Sequence, residues 1–178
     1  TNAFRALALI ASHPDQRARV EAELAEAPED GAKRIEALPY LEACLEEAMR
    51  LWPTTPFLSR ETLEETSWDG ATVPAGTQIL ISNTFNHRDP ERHPAGDRFE
   101  PEAWTEGGRA EDWSLNHFSH GPQGCPGADL ALLVGKAMLA RLLDQRRVVL
   151  LEPSLDPDRP LPRMLDFFRL RFGIHSRT

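Results

Sequence analysis

Disulfide scaffolding is something this chain has no means to build. It holds two cysteines, Cys44 and Cys125, in 178 residues, too few for a disulfide framework and in keeping with a reducing compartment. Basic charge is also in short supply: 20 Lys+Arg stand against 28 Asp+Glu, a net charge of −8. Binding a phosphate backbone needs a dense positive surface, so no nucleic-acid partner is expected. Long apolar runs are missing too. The longest, Leu130 to Leu143, is interrupted by Lys136 and Arg141, so no membrane span or signal peptide is expected and the expected location is the cytoplasm. Nor is there an initiator Met. The chain begins Thr1-Asn2-Ala3-Phe4 with a helical apolar pattern already running to Ala11, which reads as the tail of a longer helix and hence as a fragment.

What is present suits one globular domain over residues 1–178, with 40% hydrophobic and 27% charged residues. Ser12-His13-Pro14 ends the first helix and opens a second, with Ser12 as its cap and Pro14 near its first position, running to about Ala27. A polar connector ending at Asp30-Gly31 leads to a third helix from Pro39, with Leu41, Leu45, Ala48 and Met49 at helical spacing until Pro53. From Phe57 the period shortens. Phe57 to Thr62, Trp68 to Val73 and Thr77 to Ser82 are expected to form one small antiparallel sheet, with turns at Asp69-Gly70 and Pro74-Ala75-Gly76. A short helix around Asn83 to His87 is followed by a long aperiodic stretch to Asn116, a length usual only for functional loops. Ala128 to Gln145 is the clearest helix, with late strands at Val148 to Leu151 and Asp166 to Phe172. Cys44 reads as a core residue, Trp68 and Trp104 as packing aromatics, and Arg146-Arg147 as charges suited to a helix C-terminus.

The long aperiodic stretch leads into Phe118-Ser119-His120-Gly121-Pro122-Gln123-Gly124-Cys125-Pro126-Gly127. Gly121 and Gly127 let backbone pass close to a flat ligand, while Pro122 and Pro126 stiffen the turn, Pro126 suiting the first position of a helix. Cys125 then lies just outside a helix N-terminus, where free N–H groups and the positive dipole end favour an anionic sulfur. Such a thiolate is either a metal ligand or a nucleophile. Nucleophilic catalysis requires a general base, and no familiar Cys-His pattern is present. A zinc site from His117, His120 and Cys125 lacks the paired Cys-x-x-Cys half.

The pattern Phe118-x-x-Gly121-x-x-x-Cys125-x-Gly127 resembles the haem-binding loop of the cytochrome P450 family, the haem-thiolate monooxygenases. Glu47-Ala48-Met49-Arg50 resembles that family's Glu-x-x-Arg on helix K, and Pro53 to Arg60 the segment after it. Asn86-His87-Arg88-Asp89-Pro90 resembles the stretch leading into the family's meander, and Arg98-Phe99-Glu100-Pro101-Glu102-Ala103-Trp104 its Phe-x-Pro-x-Arg-aromatic motif. These segments stand in the family's order from about Leu38 to Gly135.

The resemblance implies a mainly α fold with a small antiparallel β-sheet, the C-terminal portion of the cytochrome P450 fold. It implies heme b (iron-protoporphyrin IX), with Cys125 as the catalytic proximal iron ligand, a thiolate that favours O–O cleavage. Phe118 packs near the sulfur, Gly121 and Gly127 let the loop lie flat, and Arg60 pairs with a haem propionate. Glu47 and Arg50 form a structural pair, and Thr54, Thr55, Pro56, Phe57 and Leu58 line the substrate side. The implied activity is insertion of one oxygen atom from O2 into a small apolar organic substrate, with electrons from ferredoxin and ferredoxin reductase or another electron donor. The alternatives are haem binding without catalysis by a fragment, a peroxide-driven haem-thiolate oxidase, or a non-haem interaction module with a structural Cys125. Two positions depart from the family's pattern. Gln123 stands where Arg or His usually contacts a propionate, leaving a neutral donor. Ala103 stands where an Arg usually completes a triad with Glu47 and Arg50, leaving Arg98 or Arg92 as substitutes.

Overall fold

The computed structural model describes residues 1–177. Helix α1 (Asn2–Ser12) buries Ala6, Leu7, Ala8, Leu9 and Ile10 in succession, so it is enclosed on nearly every side. α2 (Pro14–Glu26) buries only Val20 and Leu24, four residues apart, and turns a polar face outward. A single extended residue, His13, separates the two, and Pro14 opens α2 as expected. Ser12 does not cap α2. Its hydroxyl donates back to the Ala8 carbonyl at 2.7 Å, the i−4 bond by which a serine in the last turn ties to its own helix.

The polar connector holds a helix that its sequence did not announce, α3 (Gly31–Glu36), with no buried residue. α4 (Pro39–Leu51) is the central element, burying ten residues that include Glu47 and Arg50. α7 (Ala128–Gln145) lies against it. Their approach is close because Gly135 has no Cβ: one built there would stand 3.0 Å from Leu45 Cδ1. The two helices and α1 enclose one core that includes Leu9, Leu41, Cys44, Leu45, Leu139 and Leu143.

The strands differ from the expected single sheet. β1 (Phe57–Glu61) pairs antiparallel with β4 (Gln78–Ser82), Phe57 opposite Ser82. β2 (Thr66–Trp68) and β3 (Ala71–Val73) form a separate hairpin. Trp68 to Val73 is therefore not one strand: Asp69 and Gly70 both take positive φ, 49° and 80°, and reverse the chain between Trp68 and Ala71. Trp68 is 48% exposed and does not pack into a core. β5 (Arg146–Glu152) and β6 (Arg171–Ser176) make a third two-stranded sheet against α1. β6 begins later than expected, since Asp166 caps a 3₁₀ turn at Phe167–Arg169, accepting from the Phe168 N–H. Arg146 and Arg147 open β5 rather than closing α7. Two short helices, α5 (Asn83–Asn86) and α6 (Glu102–Thr105), and a 3₁₀ turn at Arg109–Glu111 punctuate the long irregular stretch. Among the described residues no helix is long and apolar enough to cross a membrane.

Candidate functional site

Two backbone hydrogen bonds shape the Cys125 loop. The Asn116 carbonyl accepts from the Ser119 N–H at 2.8 Å, and the Phe118 carbonyl accepts from the Cys125 N–H at 2.7 Å. Between these closures Ser119 and Gly121 take φ of 61° and 63°, and a 3₁₀ turn spans Gly121–Gln123. Glycine adopts the left-handed conformation without strain, which accounts for Gly121, whose missing Cβ would meet open space. Gly127 acts differently. Its φ is −102°, open to any residue, but a Cβ there would stand 4.0 Å from the Cys125 sulfur. That is ordinary contact distance, so the glycine only leaves the sulfur somewhat more open than an alanine would. Gly127 is also the N-cap of α7, so the helix starts at Ala128 and Pro126 lies outside it, not at its first position.

Cys125 is exposed, whereas Cys44 is buried, with burial pushing its thiol well above the usual range. Cys125 lines a cavity of about 230 Å³ together with Met49, Thr54, Thr55, Leu58, Phe118 and Gln123, among others. Of the five residues expected on the substrate side, Thr54, Thr55 and Leu58 reach this cavity. Pro56 and Phe57 do not line it: the Pro56 carbonyl accepts from the Asn83 N–H and Phe57 is 53% exposed. Arg60 on β1 reaches the loop, donating through Nη2 to Ser119 Oγ at 2.9 Å. Among the described residues it has no carboxylate partner. His117 and His120 do not converge with Cys125 into a metal cluster. His117 pairs with Glu46 of α4, and His120 stacks on Trp113 with ring centroids 4.7 Å apart.

Behind the loop lies a buried carboxylate. Glu47 is wholly buried and accepts five N–H groups: two from Arg50 at 2.7 Å each, one from Arg109 at 2.9 Å, the Trp104 indole at 2.7 Å and the Glu100 backbone at 3.0 Å. Burial alone would raise its pKa; the charges of Arg50 and Arg109 and the hydrogen bonds from Arg50 and Trp104 outweigh it and hold the carboxyl below its ordinary value. Arg50 also donates to the carbonyls of His87, Gly96 and Arg98, tying α4 to the irregular stretch.

Neither expected substitute for the position of Ala103 serves. Arg98 is exposed and engages Arg50 only through its carbonyl, and Arg92 faces Asp89. The second guanidinium comes from Arg109, which also donates to the Glu100 carboxylate at 3.1 Å. Gly108, at φ 75°, precedes Arg109 where the chain turns back. That glycine was the available signal, though no spacing rule links it to Glu47. Trp104 likewise proves to be a hydrogen-bond donor to Glu47 rather than packing alone.

The description Cytochrome P450 belongs to the family model that matches residues 3–168. The chain is similar to the cyclooctat-9-en-7-ol 5-monooxygenase of Streptomyces melanosporofaciens, 37% identical over 146 residues, covering 79% of this chain and 32% of that protein. It is also similar to the probable cytochrome P450 4s3 of Drosophila melanogaster, 36% identical over 143 residues, covering 80% of this chain and 28% of that one. Among solved structures, retinoic acid bound cyanobacterial CYP120A1 superposes with a TM-score of 0.78 at 27% identity, covering 99% of this chain and 43% of that chain. The chain spans 28–32% of the length of these two curated relatives.

Proposed function

The chain belongs to the cytochrome P450 family, and on that premise we propose that the Cys125 loop is the proximal wall of a haem b site in a haem-thiolate monooxygenase. One observation carries this reading: a free, exposed cysteine that lines a cavity, three residues ahead of a helix, with no side chain at Gly127 to crowd the sulfur. A free cysteine is a donor suited to the iron of a porphyrin, and its exposure gives such a ligand access. Arg60 supports it. A guanidinium with no carboxylate partner among the described residues, held against the loop by Ser119, is suited to a propionate.

In this reading Cys125 is the iron ligand and Phe118 shields its sulfur. Arg60 and Gln123 hold the propionates, Gln123 through a neutral hydrogen bond. Thr54, Thr55 and Leu58 face the cavity, and the substrate is a small apolar organic molecule. When bound, haem supplies oxygen activation, which an anionic sulfur ligand favours. The dipole of α7 stabilises that anion, while Glu47 with Arg50 and Arg109 holds the surrounding chain rigid. Electrons come from a ferredoxin and its reductase in the cytoplasm, where Cys44 and Cys125 stay reduced.

A second reading, haem binding without turnover by these 178 residues alone, is favoured by exposure. Cys125 is open to solvent, and so are Leu130, Leu133 and Val134 on the following helix; a site open to water does not sequester oxygen chemistry. Titration with haem, followed by absorbance, tests the proposal. Saturation at one haem per chain is expected, with a Soret position that changes in Cys125→Ala; no saturable binding, or an unchanged band in the variant, would overturn it.

A further inference from the structure

His87 follows α5, is wholly buried, and has both ring nitrogens engaged. The Asn116 backbone N–H donates to Nε2 at 3.0 Å. A backbone N–H can only donate, so Nε2 presents a lone pair and the ring proton sits on Nδ1, 3.3 Å from the Arg50 carbonyl oxygen. Arg50 returns the contact by donating through Nη1 to the His87 carbonyl at 2.7 Å. The imidazole therefore bridges the end of α4 and the residue from which the Cys125 loop departs. From Asn116 the path to the sulfur is short, through the Ser119 N–H on the Asn116 carbonyl and the Cys125 N–H on the Phe118 carbonyl.

We propose that His87 is a positioning residue, fixing the start of the Cys125 loop to α4 through the lone pair of its neutral Nε2. The proposal rests on the reading of that loop as the functional site. An apolar side chain of similar volume would fill the space but leave the Asn116 N–H and the Arg50 carbonyl without their partner. A charged imidazole would fail as well, because a proton on Nε2 would point at the Asn116 N–H. The charged and titratable groups around the ring are Arg50 from α4 and His117 from the loop, whose ring stands edge-on with centroids 6.0 Å away. Burial first, then His117 and Arg50, pushes His87 down to about 3.

The test needs no haem, so a chain that bound none would leave this proposal standing. In the unmodified protein, ring-nitrogen NMR at neutral pH is expected to show a protonated Nδ1 and an unprotonated Nε2. The opposite tautomer, or the imidazolium, overturns the proposal even where variants fold poorly. In His87→Leu, amide exchange at Asn116 and Cys125 should quicken by about tenfold or more while amides inside α4 and α7 stay within about twofold. His87→Gln, which keeps one acceptor and one donor, should restore most of the protection. Equal acceleration throughout the chain, or none at Asn116 and Cys125, would contradict it.

Discussion

Arg109 Nη1 donates to Glu47 Oε1 at 2.9 Å, joining residues 62 positions apart. This contact supplies the second guanidinium that Ala103 cannot, from a 3₁₀ turn six residues further on. Removing it leaves a buried carboxylate with one cation instead of two. Arg109→Ala should therefore cost about 3 kcal/mol, near the lower end for breaking a buried pair because Arg50 remains. Urea unfolding measures it; a loss under about 1 kcal/mol would mean that Arg50 and Trp104 suffice.

Stability should fall as pH drops below neutrality. His87, His13 and His93 are all held below their ordinary value by burial first, His87 at about 3. Each binds its proton less firmly when folded than when unfolded, where an imidazole protonates below about pH 6.5. The unfolded chain thus binds more protons, so their contribution is present above pH 6.5 and is lost as pH falls toward the folded values. Glu47, also depressed, adds loss in the same direction at lower pH. For His87 alone the slope approaches about 1.4 kcal/mol per pH unit. Urea midpoints at pH 7, 6 and 5 should decline, and less steeply in His87→Gln.

The contact of α7 with α4 should tolerate a methyl but not a branched side chain at position 135. In Gly135→Ala the new Cβ would press on Leu45 Cδ1, the movable end of a side chain, and better helix propensity of about 1 kcal/mol offsets the crowding. Gly135→Val adds volume with no room to take it and should cost roughly 1–3 kcal/mol. Thermal melts of the two variants distinguish them; equal behaviour would show that the helices separate freely.

Arg60→Ala should separate binding from folding. The side chain is partly exposed and donates to Ser59 O and Ser119 Oγ, so the unfolding midpoint should scarcely change. Loss of one charge-assisted hydrogen bond to a propionate should weaken haem binding by roughly tenfold, about 1.4 kcal/mol. Competition for haem against apomyoglobin measures this. Unchanged affinity would remove Arg60 from the site.

Much of this arrangement can be read from local pattern. α1, α2, α4 and α7 follow from apolar spacing, Pro14 and Pro39, and the Phe118 to Gly127 segment announces a loop built around one sulfur. Glu47 and Arg50 are one helical turn apart, so their pairing is local as well. The remainder depends on where the chain travels. α3 buries nothing and so leaves no apolar period to find. The turn at Asp69-Gly70 is legible, but Thr66 and Ser67, which pair across it with Val73 and Thr72, carry no strand pattern of their own. Arg109 finds Glu47, and His87 finds Asn116, only after the irregular stretch wraps the end of α4. Neither pairing has a fixed spacing, because aperiodic backbone sets the distance.

The central claim is that Cys125 ligates a haem iron through its sulfur, and the spectrum of the reduced protein under carbon monoxide tests it most directly. A strongly red-shifted Soret band is expected in the haem-loaded chain, absent in Cys125→Ala and retained in Cys44→Ala. A red-shifted band that survives the loss of Cys125, or no such band in the unmodified haem-loaded chain, would contradict the account.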